Sequence, residues 1–184
     1  MKKNCLHNIV RGCFFFFCLF LSSNQAFATN QDTNDLSSSG HFAQLSSSVT
    51  QNPGIASKLV KFENVDQLDG LKVDSAREKI TVKESGLYFI MANGRVGTSV
   101  VSIRGRAEIY LLRNGTQIPR TGASYISPGK IMTTNVISQT VLFLKKGDHI
   151  SVGITSDSPI IGLIPSSGTQ AIPSITFTMY KINN

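Results

Sequence analysis

The 184-residue sequence has no tryptophan, and its three cysteines, Cys5, Cys13 and Cys18, all lie near the start of the chain. Beyond Cys18 there is thus no disulfide framework, no thiolate metal site and no cysteine nucleophile. Histidine is as scarce, with only His41 and His149 after His7. Charge is thin at 16%. No G-x-S-x-G elbow, H-E-x-x-H, Walker loop or dinucleotide fingerprint occurs, so the commonest motif-borne chemistries find no support. Long apolar runs are missing as well. The longest, Cys13–Leu21, falls far short of the roughly 20 residues that cross a bilayer, so no membrane span is expected.

That short run has another use. Lys2, Lys3 and Arg11 precede or flank it, and Ala26-Phe27-Ala28 follows with the small-x-small pattern read by signal peptidase. Residues 1–28 are therefore expected to be a cleaved signal peptide, with cleavage near Ala28 and a secreted or cell-surface product. Removing Lys2, Lys3 and Arg11 from the 18 basic residues leaves 15 against 11 acidic ones, a net charge of +4. So mild a charge does not argue for nucleic acid. The next stretch, residues 29–41, is rich in Ser, Asn and Asp and reads as a flexible polar arm.

From residue 42 to 184 the texture is that of one all-β domain. Runs rich in Val, Ile, Thr and aromatics alternate with turn clusters such as Asn52-Pro53-Gly54, Arg113-Asn114-Gly115 and Lys145-Lys146-Gly147-Asp148. Eight strands are expected: Phe42–Ser48, Lys58–Phe62, Lys79–Val82, Gly86–Asn93, Val100–Leu112, Val136–Leu144, His149–Thr155 and Ile175–Ile182. Arg113-Asn114-Gly115 is a strong hairpin signal, because two-residue turns favour Asn-Gly. Leu87–Ala92, Val141–Leu144 and Ile160–Ile164 are apolar on both faces. A two-layer sandwich needs only one apolar face per strand. A second cover is implied, either a loop or a neighbouring subunit.

Phe62, Val73, Ile80, Gly86, Tyr88 and Ile90 fall at intervals that resemble the signature of the complement component 1q globular head and the related tumour necrosis factor fold. Leu68 departs from it, with Asp69 one place late. Leu111–Gly115, Leu142–Ile150 and Ile175–Tyr180 are similar to later strands of that family. Asn114–Pro119, Ser127-Pro128 and Gly147-Asp148 follow the order found in bacterial members such as the C-terminal domain of spore-surface collagen-like glycoproteins. The resemblance implies a two-sheet jelly-roll sandwich of about ten antiparallel strands, assembled as a homotrimer. It marks Phe62, Gly86, Tyr88, Ile90, Phe143, Phe177 and Tyr180 as core or trimer-packing positions. It also admits calcium, held by loop oxygens near the trimer apex, although no contiguous ligand motif is present.

No catalytic residue is assigned. Asp66, Asp69 and Asp74 cluster in sequence and could in principle serve glycoside hydrolysis, or could simply be solvated. The more promising polar feature is basic. Arg104 and Arg106 share one strand face by the two-residue period, with Arg95 before them and Arg113 and Arg120 after. Guanidinium groups suit carboxylate, sulfate or phosphate, but Glu108 on that face could pair with Arg106 instead. The expectation is an exported, non-enzymatic binding module recognising a protein or glycan partner. Alternatives are a structural component of an envelope, appendage or spore-type layer, or a carbohydrate-active β-sandwich.

Overall fold

The computed structural model describes residues 40–166 and 171–182, and every regular element within them is a strand. The leader and residues 29–39 of the polar arm lie outside the described residues. In chain order the strands are β1 (Phe42–Ser47), β2 (Ser57–Leu59), β3 (Asn64–Asp69), β4 (Leu71–Val73), β5 (Ile80–Val82), β6 (Gly86–Thr98), β7 (Arg104–Arg113), β8 (Thr116–Gln117), β9 (Ala123–Pro128), β10 (Met132–Leu144), β11 (His149–Ser156), β12 (Gly162–Leu163) and β13 (Ile175–Ile182). They form two antiparallel sheets. One runs β10-β6-β13-β1-β3, with β12 also beside β6. The other runs β4-β5-β11-β7-β8, with β2 beside β11 and β9 beside β7.

The two sheets close over one core because each strand turns alternate residues inward. Leu45, Tyr88, Ile90, Ala92, Phe177 and Met179 from the first sheet meet Ile80, Ile109, Leu111, Ile150, Val152 and Ile154 from the second, all buried. Phe62, which follows β2, enters the same core and meets Phe177 with ring centroids 5.7 Å apart. The tilted rings suit their quadrupoles. Tyr88 keeps its hydroxyl satisfied by donating to the carbonyl of Glu84 at 2.8 Å.

The longest ladder joins β6 to β10, running without a break from Gly86↔Leu144 to Thr98↔Met132. At the expected hairpin, Arg113 faces Thr116 across Asn114 (φ 52°) and Gly115 (φ 82°). Two successive positive φ values are the mark of a type I′ turn, which matches the twist of the flanking strands. On β11, Gly153 lies under the ring of Tyr110, where an added Cβ would come within 2.5 Å of Tyr110 Cζ. Only glycine fits beneath the ring.

Among the described residues there are thirteen strands, several of them only two or three residues long, in the expected two-sheet jelly-roll sandwich. Val100–Ile103 is a turn rather than the start of a strand, with Ser102 at φ 64°. β3, β4, β8, β9 and β12 were not among the eight strands read from the sequence. His41, placed by composition in the arm, is half-buried, and its carbonyl accepts a hydrogen bond from Lys181 N at 2.8 Å.

Phe177→Ala should therefore cost about 3–5 kcal/mol of folding stability, since it empties a ring-sized space between the sheets. Urea unfolding of wild type and variant measures it. A loss well under 1 kcal/mol would mean the core does not depend on this ring pair.

Candidate interaction surface

The strict two-residue period fixes what the first sheet shows to the outside. With Tyr88, Ile90 and Ala92 pointing in, β6 turns Leu87, Phe89 and Met91 out. On β10 the outward set is Ile137, Val141 and Phe143, exposed by 51%, 52% and 55%. On β13 it includes Tyr180, exposed by 45%, and the half-buried Ile182. Register brings these together, because Phe143 pairs with Leu87, Val141 with Phe89, and Tyr180 also with Phe89. The Phe89 and Tyr180 rings lie 5.2 Å apart. The result is one contiguous apolar surface across three adjacent strands. Isolated exposed hydrophobics are ordinary, whereas a joined patch rimmed by polar groups marks an interaction surface.

Of the three segments that read as apolar on both faces, two make this surface. The third is covered within the chain: Ile161 and Leu163 are fully buried. β12 there pairs with β6, and Leu163 N and O bond Gln51 O and N. Phe62, Tyr88, Ile90 and Phe177 lie in the core, Gly86 begins β6, and Phe143 and Tyr180 stand on the outer surface.

Near the Gly86 end of β6, on the side of the sheet opposite Phe89 and Tyr180, lies a charged cluster. His41 Nε2 lies 2.9 Å from Glu84 Oε2, and the Lys181 ammonium holds the other Glu84 oxygen. The Lys181 hydrogen bond, aided by the charges of Lys181 and His41, keeps the Glu84 carboxyl below its ordinary pKa against a smaller effect of burial. Burial, with the Glu84 charge adding to it, pushes the Tyr88 phenol up. Towards the other end the face turns polar. Asn93, on the same side as Met91, has its Oδ1 buried with no hydrogen-bond partner among the described residues. Next comes the half-buried Arg95, whose Nη1 donates to Ile164 O at 3.1 Å. A cavity of about 450 Å³ opens there between Arg95, Thr98, Thr133 and the Ile164–Ser166 segment.

The five arginines do not gather. Arg95 belongs to the first sheet, while Arg104 and Arg106 stand exposed on β7 of the second. Arg106 pairs with Glu108 at 2.8 Å, and its N–H donates to Asp157 Oδ1 at 2.6 Å. The hollow beside it, about 240 Å³, is lined by both signs of charge. Arg113 is tied into a structural knot. Asp148 accepts from Arg113 Nη2 at 2.7 Å, Asn114 Nδ2 at 2.8 Å and Lys145 N at 2.8 Å, joining two turns.

The acidic residues do not converge either. Asp66 and Asp69 sit on the exposed edge strand β3, where Asp66 accepts from Ser46 at 3.2 Å. The Asp74 carboxylate takes the N–H groups of Glu78 and Lys79 at 2.8 and 3.1 Å. Burial raises its pKa, but those bonds and the Lys79 charge outweigh it. Among the described residues no three His, Cys, Asp or Glu side chains are gathered to hold a metal. No helix among them is long and apolar enough to cross a membrane.

The class that this architecture defines is the tumour necrosis factor-like jelly roll. Among solved structures, murine APRIL (crystallised at pH 5.0) superposes with a TM-score of 0.50, covering 78% of this chain and 99% of that one at 14% identity. The likeness lies in the fold alone. The sequence matches no protein-family model and none of the curated proteins.

The Asp148 knot carries a testable pH dependence. Burial raises the Asp148 pKa, but its bonds from Asn114, Lys145 and Arg113 outweigh that and hold it below the ordinary value. A depressed folded-state pKa stabilises the fold above the unfolded value of about 4, and the benefit is lost as pH falls below it. Asp148→Asn should therefore melt lower than wild type at neutral pH, with the gap closing below about pH 4. A gap independent of pH would contradict the assignment.

Proposed function

We propose that this chain is an exported, non-enzymatic binding module that assembles as a homotrimer through the outer face of β6, β10 and β13. Its loops then meet a protein or glycan partner at a cell surface or on a host. The observation that carries this reading is the contiguous apolar face of Leu87, Phe89, Val141, Phe143 and Tyr180 on a jelly roll of this class. An exported protein with such a face open to water would aggregate unless a partner covered it. A second copy presents the same apolar chemistry, and a closed ring of copies leaves no surface unsatisfied. Three copies also multiply weak contacts into avidity. The finer kinship, with complement 1q heads and the bacterial spore-surface glycoproteins, belongs to this proposal and rests on the motif order noted above. Asp66, Asp69 and Asp74, the acids a carbohydrate-active reading would use, are dispersed or already engaged in hydrogen bonds.

Light scattering behind size exclusion should return the mass of three copies. Phe143→Glu should shift the protein toward monomer while its β-type circular dichroism is retained, because that side chain lies outside the core. A monomeric wild type, or a Phe143→Glu variant that stays trimeric, would overturn the assembly. Ordered growth beyond three copies would favour the layer-forming alternative.

A further inference from the structure

The cavity at the polar end of the interaction face differs from every other hollow described above. Among the described residues its one charged lining group is the half-buried Arg95 guanidinium, and no carboxylate lines it. Arg95 spends a single N–H on the protein, Nη1 to Ile164 O, which aims the group while leaving its other donors unbonded among the described residues. The backbone is fixed at the same place, since Arg95 N donates to Ser174 O at 2.8 Å and Ile164 N donates to Arg95 O at 2.9 Å. Ser99, Thr133 and Ser166 also line the cavity, and their hydroxyls make no side-chain hydrogen bond among the described residues. Ile131, Met132 and Pro165 supply apolar walls. By contrast, the Arg106 hollow already holds its own counter-charges, Glu108 and Asp157.

A guanidinium with open donors in a recess free of acids recognises a planar oxyanion, and the carboxylate is the best geometric match for a two-pronged bond. Unbonded hydroxyls beside it suit a ligand carrying hydroxyls of its own, while apolar walls suit C–H faces. Both features meet in a sugar. The cavity's volume, about 450 Å³, lies within the roughly 300–1,000 Å³ of small-ligand sites. We propose that this cavity binds the carboxylate of an acidic sugar, with Arg95 holding the carboxylate and Ser99, Thr133 and Ser166 meeting ring hydroxyls. The proposal deepens the binding-module reading by naming a ligand class. All its groups come from one chain, so it stands or falls apart from the trimer.

The test is a titration of the full chain with glucuronate, with glucose as the neutral counterpart and sulfate as the bare oxyanion, followed by amide chemical shifts and calorimetry. Glucuronate should saturate, with shifts centred on Ser99, Thr133 and Ile164. Glucose should bind at least about tenfold more weakly, as expected for losing a charge-assisted pair. Arg95→Gln should lose a similar factor. Because that change also touches the Ile164 contact, Ser99→Tyr serves as a second variant. It fills the rim, leaves Arg95 in place, and should weaken glucuronate as well. Equal binding of glucose and glucuronate, unchanged binding in both variants, or shifts centred on Arg104 and Arg106 would overturn the site. Sulfate binding as tightly as glucuronate would overturn its sugar specificity. Light scattering on the same samples reads the assembly independently, so a monomer that binds glucuronate refutes the trimer and keeps the site.

Discussion

The pairing of β6 with β10 is the constraint on which the rest depends. Thirteen consecutive residues of each strand face one another without a bulge. Because side chains alternate strictly, that single register decides every inward and outward position on both strands. It sends Tyr88, Ile90 and Leu144 into the core and leaves Phe89, Val141 and Phe143 side by side outside. A slip by one residue would bury the outer set and expose the core set. Both sets are apolar, so hydrophobicity alone discriminates poorly between the two registers. Turn chemistry and neighbouring strands must do so. The Asp148 knot, joining the β7–β8 turn to the turn that ends β10, sits where it can hold that register.

The same sheet divides its outer face between two kinds of chemistry. Apolar side chains occupy the half near β13 Tyr180. Beyond Asn93 the face turns polar and ends at Arg95, where β12 replaces β13 beside β6. The proposed self-association surface and the proposed recess for a carboxylate would therefore share one sheet without using the same residues. The charged groups of the second sheet are spent differently. Arg106 and Arg113 pair with Glu108 and Asp148, while Arg104 stands exposed on β7.

Much of this was legible in the amino-acid order. Ile175–Ile182, which alternates, and Phe42–Ser47 appear where the pattern put them, and Asn114-Gly115 forms its hairpin. What stayed hidden has physical causes. β3 is exposed at all six positions, an edge strand whose Asn, Asp and Gln side chains leave no burial pattern to read. β9 begins after glycine and ends in Ser127-Pro128, signals that read as a turn, while its inward residues, Tyr125 and Ser127, are not a hydrophobic pair. The five arginines looked like one cluster because they are close in sequence. A jelly roll sends successive strands to opposite sheets, which parts Arg95 from Arg104 and Arg106. The recess at Arg95 depends on Ile164, some 70 residues away, and no local pattern announces that contact.

The proposed trimer requires the outer face of β6, β10 and β13 to be covered by other copies of the chain. Hydroxyl-radical footprinting of the assembled protein, read at single residues by mass spectrometry, tests this most directly. Phe143 and Tyr180 should be protected relative to their exposure in one chain, and should become reactive on dilution into monomer, while exposed Ile126 on β9 reacts alike in both states. Phe143 and Tyr180 reacting equally at all concentrations would contradict the claim.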